Sequence, residues 1–544
     1  MRTALVTTLA STLLAAALVP AGLTGCASEA DEGDPEDGIF VDDGKEDDFL
    51  SLSAQEYLVE GTTSITLTGA DAALTGAARD ARVRELVGYK QIAIAWFLTQ
   101  YLVAKEADSP NHAFGGFGGI AKAGAFEDLQ VRATGANTYE FKFRQLAAGT
   151  RELLSLLPLR SAGGGQVFDL EVGRPSNEEL GRLETNNEWY RQAPWDGWNP
   201  ANVPAAQKEA LTFAIKPERA SPDAWLDVKR LIADGVLDID VHMGWDYHAA
   251  FHVQHARALF GWLQDQGFRA PVAGFDALTR TSGDFTKRIS ADGRPLTVKV
   301  RLFYGKTGSD TDPDTDAGGI QLENDMRASL KTRDVIVYSG HSGPFYGFAL
   351  GNWRKTSEGD LDDTDMRSAD MPADRYQVIL AEGCDTYQIG QAFKDNPSKA
   401  GKNVDVITST SFSNASTPDT VQDFISSLIE RDSAGKLRPR TMKALLTDLD
   451  SNSPWFHTMY GIHGIDDNPT LHPFAVTANI GKTCRVNADC GGIGNLCVAT
   501  GAAGGGKACT AACSADAGCP TTHACKPVAS SSSRTIYANA CRKR

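Results

Sequence analysis

Between residues 235 and 478, short runs of near-continuous Val, Ile and Leu alternate with longer stretches whose apolar residues recur every three or four positions. "GVLDIDVHM", "LTVKVRLFYG", "RDVIVYSG", "RYQVILAEG", "VDVITST" and "FHTMYGIHG" read as strands. "HAAFHVQHARALFGWLQDQGF" places Phe251, Leu259, Phe260 and Leu263 at helical spacing and stops at Gly267. "IQLENDMRASLKT", "YQIGQAFK" and "TVQDFISSLIERD" read as further helices. Strands without polar alternation are buried on both faces, so the pattern predicts an α/β domain with a mostly parallel sheet flanked by helices. In such sheets functional side chains stand just past the carboxyl ends of the strands.

Residues 50–222 are patterned differently. "EYLVEGTTSITLTG" and "GQVFDLEVG" alternate as strands do, and "DLQVRATGANTYEFKFRQ" reads as a hairpin across Gly-Ala-Asn. "IAIAWFLTQYLVA", residues 92–104, falls short of the roughly 20 apolar residues a bilayer helix needs and carries Thr99 and Gln100, which makes it core. "NNEWYRQAPWDGWNPANVP" reads as irregular chain. A separate β-rich N-terminal domain is expected, serving as an adhesive module, a substrate-docking module or a propeptide.

The ends of the chain add export and covalent staples to this picture. Arg2, an apolar stretch over residues 4–23 and "LTGC" at residues 23–26 fit a lipoprotein signal, with residues 1–25 removed and Cys26 lipidated. Ala27 in the next position directs such an anchor to a bacterial outer membrane or cell surface. Residues 26–49 form an expected disordered acidic tether, with eleven acidic residues against Lys45 alone between residues 29 and 48. The formal charge of -16 argues against nucleic acid as a partner, because phosphate contacts need clustered Lys and Arg. Residues 484–544 hold Cys484, Cys490, Cys497, Cys509, Cys513, Cys519, Cys525 and Cys541 in two four-cysteine units poor in large apolar residues. Four disulfides are expected there, with the connectivity open; the C-x2-C pairs of a zinc ribbon are missing.

One thiol is then left over. Of 10 cysteines, one is lipidated and eight pair, so Cys384 in "LAEGCDTY" stays free in an exported chain, as a reactive nucleophile, an intermolecular partner or an inert core residue. His341 follows the preceding predicted strand, "RDVIVYSG". Neighbouring strand ends bring a thiol and an imidazole within proton-transfer range, and Gly340, Gly343 and Gly383 let a substrate backbone approach amide N–H groups.

An apolar strand ending in "YSGHSG", followed by one ending in "LAEGCDTY", resembles the caspase, legumain, separase and gingipain superfamily of cysteine peptidases. The resemblance covers residues ~235–478 and rests on these two motifs. It implies a caspase-like fold and hydrolysis of a protein or peptide substrate. His341 would be general base and acid and Cys384 the nucleophile, with an oxyanion hole made by the backbone N–H of Cys384 and one from Ser342 and Gly343. The chain departs from the family in having Ser342 directly after the histidine, with Gly343 one place later, and Gly383 where Ala is often found before the cysteine. A carboxylate of "SEGDLDDTDMRSAD", or Asp385, would favour Lys or Arg in the substrate if it lined the pocket; otherwise the loop is a solvated surface.

Other constellations compete with this reading. Asp310, Asp312, Asp314 and Asp316 stand at every second position of a turn-rich loop, a pattern read as either a calcium site or a solvated turn; the chemistry itself requires no cofactor. His248, His252 and His255 form a helical stripe whose ends lie about 10 Å apart by the helical rise, too far for one tetrahedral ion. His463 and His472 are read as structural. "GHSG" offers Ser342 as a serine-hydrolase nucleophile, although Pro344 replaces the last Gly of that elbow. The remaining alternative is a caspase-like surface binding protein without activity.

Overall fold

Eight strands form the main sheet: β1 (Phe49–Ser51), β2 (Val236–Met243), β3 (Phe285–Ala291), β4 (Arg294–Tyr304), β5 (Val335–Ser339), β6 (Gln377–Glu382), β7 (Val404–Ser409) and β8 (Tyr460–His463). The longer helices are α1 (Gly76–Glu106), α2 (Phe251–Asp265), α3 (Asp316–Thr332), α4 (Tyr387–Lys394), α5 (Asp419–Leu428) and α6 (Met442–Asp450). This computed structural model describes residues 49–107, 131–182, 189–246, 250–291, 293–343, 347–399, 401–413, 417–432, 435–450, 459–500, 505–528 and 539–544. The signal, nearly all of the acidic tether, Cys26 and His248 lie outside the described residues.

The strands run in the order β1-β8-β7-β6-β5-β2-β4-β3. β4, β2, β5, β6 and β7 are parallel, and antiparallel β3 and β8 flank them. The apolar runs explain the layering. Along β5, Val335 and Val337 face one core while Ile336 and Tyr338 face another, all four fully buried. β6 repeats this division with Val378 and Leu380 against Ile379 and Ala381. Leu259, Phe260 and Leu263 of α2, Phe424 and Ile425 of α5 and Leu445 and Leu446 of α6 cover the first face. Leu322 and Met326 of α3 and Ile389 and Phe393 of α4 cover the second. Each such side chain, fully buried, stabilises by roughly 1.5–3 kcal/mol, so the two-sided cover holds the sheet.

The N-terminal region holds a six-stranded antiparallel sheet in the order Arg132–Ala133, Thr138–Thr150, Ala54–Thr66, Lys208–Pro217, Gly165–Gly173 and Arg160–Ala162. Residues 92–104 belong to α1, whose Phe97 packs among Trp189, Trp195 and Trp198. Two features differ from the sequence reading. α1 runs for 31 residues, a helix unmarked in sequence because its buried residues crowd around the C-terminal half without a single stripe. Leu50, placed by sequence in the N-terminal region, pairs with Ile462 of β8 and extends the main sheet, since a three-residue strand gives no periodic signal. Phe49 beside it packs against Tyr387 and His463.

The tail is closed by four disulfides, Cys484–Cys497, Cys490–Cys509, Cys513–Cys525 and Cys519–Cys541. Both units thus join first to third and second to fourth cysteine. Trp225 packs against Leu496, Ala512 and Ala540 of the tail and meets His472 edge to face. Among the described residues no helix is long and apolar enough to cross a membrane. Disulfides of this density belong to proteins of oxidising compartments. Replacing Cys490 and Cys509 together by Ser should destabilise the tail by about 3 kcal/mol, the cost of reopening a loop of this length. Limited proteolysis should cut the variant's tail first and leave the main sheet protected.

Candidate functional site

The carboxyl ends of β2, β5 and β6 meet in one place. Ser339 and Glu382 are register partners, and the Gly340 N–H donates to the Glu382 carbonyl at 3.1 Å. His341 and Cys384 each stand two residues past that last register pair. The Ser342 hydroxyl then donates to the Cys384 carbonyl at 2.6 Å, tying the two loops together. A Cβ on Gly383 would overlap Ser342 Oγ and lie 3.0 Å from both Ser342 Cβ and the Gly340 carbonyl. Ser342 and Gly383 are therefore complementary: the serine fills the space an alanine methyl at 383 would take. A Cβ on Gly340 would meet Gly244 Cα at 2.6 Å, which lets the chain leaving β2 pass close beside the histidine loop.

That chain carries a residue the sequence reading missed. Asp246 Oδ2 stands 2.9 Å from His341 Nε2, with both side chains largely buried. It is held in place by the Gly244 N–H on the Ser339 carbonyl and the Trp245 N–H on the Ala349 carbonyl, each 2.8 Å. Tyr338 reaches up from β5 and donates its hydroxyl to the His341 carbonyl. A carboxylate three residues past a parallel strand, in "MGWDYH", is the signal that could have drawn attention to Asp246.

Cys384 is partly exposed and is the free cysteine among the described residues. Burial, followed by the neighbouring charge of Asp385, pushes its thiol up to about 12, against hydrogen bonds from Ser413. The group is therefore a neutral thiol at physiological pH. Asp385 has a positive φ of 52° and donates its N–H to the Ser411 carbonyl at 3.0 Å. Its carboxyl is raised to about 8 by burial and by Glu106 at the end of α1. Glu382, beneath, is raised to about 7 by burial, opposed by the Tyr460 hydroxyl that donates to it at 2.7 Å. Asp246, His252, His255, Glu382 and Ser413 line a narrow cleft of about 20 Å³, little more than one water occupies.

The other candidates are placed elsewhere. Ser342 is 4% exposed and bridges to Phe348 in a small sheet, so its hydroxyl is spent on the Cys384 carbonyl. Gly343 sits in the same bridge, against Gly347. Asp310 pairs with Arg280 at 2.7 Å, Asp312 accepts from the Gly308 N–H at 2.7 Å, Asp314 pairs with Lys355 at 2.6 Å, and Asp316 accepts from the Ser357 N–H at 3.1 Å. The four carboxylates are turned to separate partners. Among the described residues, metal-sized groups of His, Cys, Asp or Glu ligand atoms occur only at disulfide-bonded cysteines. His252 accepts from the Asp246 N–H at 3.4 Å, and burial lowers its imidazole to about 4. His463 and His472 are buried against Phe49 and Trp225. In the acidic loop, Asp362 caps the helix Asp363–Ser368, while Asp365 and Asp370 pair with Arg327 and Lys331 of α3.

Comparison of the chain with protein-family models, curated proteins and solved structures returned no match.

Two outcomes follow from this geometry. Gly383→Ala should destabilise the protein by about 1–3 kcal/mol through overpacking, and Ser342→Gly in the same chain should recover most of the loss, both read by urea unfolding. Ser342→Ala should recover less, because its Cβ stays 3.0 Å from the added methyl. The second outcome concerns pH. Unfolded Glu382 releases its proton near its ordinary 4.5 and folded Glu382 near about 7, so the folded state holds more protons between these values. The contribution of Glu382 to stability should therefore fall as pH rises through that window and be lost above it. Glu382→Gln should flatten that part of the urea-unfolding profile.

Proposed function

We propose that the protein is a cysteine endopeptidase with a caspase-like fold, in which Asp246, His341 and Cys384 form the catalytic group. The reading is carried by one observation: His341 and Cys384 each follow the end of adjacent parallel strands, two residues past the register pair Ser339–Glu382, with a buried carboxylate 2.9 Å from the imidazole. Asp246 holds the ring and stabilises the imidazolium that forms when His341 takes the Cys384 proton. The sulfur adds to the substrate carbonyl, and the oxygen charge is met by the backbone N–H of Cys384 and one from the Ser342 and Gly343 segment. His341 then protonates the leaving amine and a thioester remains on Cys384. Water, giving its proton to His341, releases the acid and restores the thiol. A thiol lifted to about 12 needs this base at the moment of attack.

In the same reading the N-terminal sequence supplies export and a lipid on Cys26, which holds the enzyme at a bacterial outer membrane or cell surface. The second reading, a binding protein that keeps the fold without the chemistry, draws on the neutral thiol. A serine hydrolase draws nothing comparable, because the Ser342 hydroxyl is engaged.

The test compares the full chain with Cys384→Ala on a peptide library and on its own polypeptide. Wild type should cleave and be blocked by a thiol alkylator, with a fluorophosphonate having no effect; Cys384→Ala should be silent. If both proteins cleave alike, or neither cleaves anything, the peptidase reading falls. Asp246→Asn should lower kcat by about 10²- to 10⁴-fold, the range expected when a buried orienting carboxylate is neutralised, and leave KM nearly unchanged.

A further inference from the structure

The N-terminal region joins the main sheet beside the loop of Cys384, through backbone, apolar and polar contacts together. β1 belongs to the main sheet, yet only Leu52 and Ser53 separate it from the strand Ala54–Thr66 of the N-terminal sheet. Arg151 donates to the Ser51 carbonyl at 2.9 Å and to the Ala54 carbonyl at 3.3 Å, and the Ser51 hydroxyl donates to the Tyr460 carbonyl of β8 at 2.5 Å. Phe49, Ala54 and Ala148 form one buried cluster with Tyr387 and Met459. Beside this cluster, Glu56 Oε1 accepts from the Tyr387 hydroxyl and from Gln391 Nε2 at 3.2 Å, and Gln391 Nε2 also reaches the Tyr387 oxygen at 3.3 Å. All three side chains of this polar group are buried.

These contacts fall on the turn Cys384-Asp385-Thr386-Tyr387. The main sheet grips Thr386, whose hydroxyl donates to the Ala381 carbonyl at 2.8 Å and accepts from the Ser409 N–H at 2.9 Å. The N-terminal region acts on the residues to either side: Glu56 accepts from Tyr387, and the Asp385 carboxyl feels Glu106 at the end of α1. Apolar packing would suffice to hold two sheets together, but it is non-directional. A buried acceptor that serves two donors fixes orientation as well, because few arrangements satisfy all three groups at once. We propose that the N-terminal sheet is a retained part of the catalytic unit rather than a releasable propeptide, with Glu56 as a positioning residue that sets the Cys384 turn through Tyr387. The proposal rests on the peptidase reading for the reaction it serves. Release of residues 49–217 would strip β1 from the main sheet and take their acceptor Glu56 from Tyr387 and Gln391.

Two rates measured on the full chain test this: turnover of a peptide that wild type cleaves, and alkylation of Cys384 by iodoacetamide. Glu56→Leu removes the acceptor and keeps a side chain of similar size. It should lower kcat by about 10- to 100-fold with KM nearly unchanged, the loss expected when a nucleophile is displaced by about 1 Å. Burial holds the thiol neutral, so a loosened turn should make it more acidic and speed alkylation by about fivefold or more. Turnover and thiol reactivity should thus move in opposite directions, whereas Ile289→Val, on the far edge strand β3, should leave both unchanged. Glu56→Gln keeps an oxygen acceptor and should hold both rates within about twofold of wild type. Tyr387→Phe removes the donor, should reproduce Glu56→Leu, and carries the test if Glu56→Leu fails to fold by circular dichroism; the two changes together should do no more than either alone. Mass spectrometry of the active species should find residues 49–217 still present. The proposal is overturned if the folded variants keep both rates within about twofold of wild type, if the two rates fall or rise together, or if the active species lacks residues 49–217. If wild type cleaves nothing, the peptidase reading falls by itself, and the alkylation rates alone decide whether Glu56 sets the turn.

Discussion

The absence of a side chain at Gly383 governs the candidate site. Because position 383 has no Cβ, Ser342 can lie over it and donate to the Cys384 carbonyl at 2.6 Å. That bond joins the loops leaving β5 and β6 just where the sheet's own hydrogen bonding ends. The close passage of Gly340 by Gly244 brings the third loop in beside them, and with it Asp246. The arrangement is a matter of volume before it is one of charge: three loops converge because two glycines leave room for them.

Two-sided burial of the sheet sets the electrostatics of everything at its rim. Groups at the strand ends sit at the edge of a low-dielectric layer, so the neutral forms of Glu382, Asp385 and Cys384 are all favoured. In the proposed reading a thiol in such a place does not rest as a thiolate, and a base that removes its proton during attack becomes the central requirement. His341, with Asp246 2.9 Å from its ring and its carbonyl accepting from the Tyr338 hydroxyl, is the group that reading assigns to the role.

The N-terminal sheet reaches this same neighbourhood. Glu56, 2% exposed on the strand Ala54–Thr66, accepts from the Tyr387 hydroxyl and from Gln391 at 3.2 Å, both on α4. α4 begins directly after the Cys384 loop, and Asp385 in that loop feels Glu106 of α1. The N-terminal sheet and the Cys384 loop are thus linked through buried polar contacts. The disulfide tail, by contrast, docks through Trp225 and His472.

Much of this was readable in the chain before folding. Uninterrupted apolar runs can be covered only on two faces, so the parallel strands and their helices followed from local pattern, as did the eight paired cysteines of the tail, while their connectivity did not. α1 and β1 escaped because neither has a periodic stripe of its own; what holds them is contact with distant residues, Trp195 and Ile462 among them. His341 and Cys384 could be named because each ends an apolar run. Asp246 could not be assigned to His341, nor Ser342 to Gly383, because those pairs exist only where separate strand ends converge. The aspartates at 310, 312, 314 and 316 make the same point in reverse: their spacing places four carboxylates in one short loop, and only the partners gathered around that loop decide which way each one turns. Local periodicity alone determined which segments fold as strands and helices, whereas the direction and neighbours of each polar group were set by packing between segments far apart in sequence.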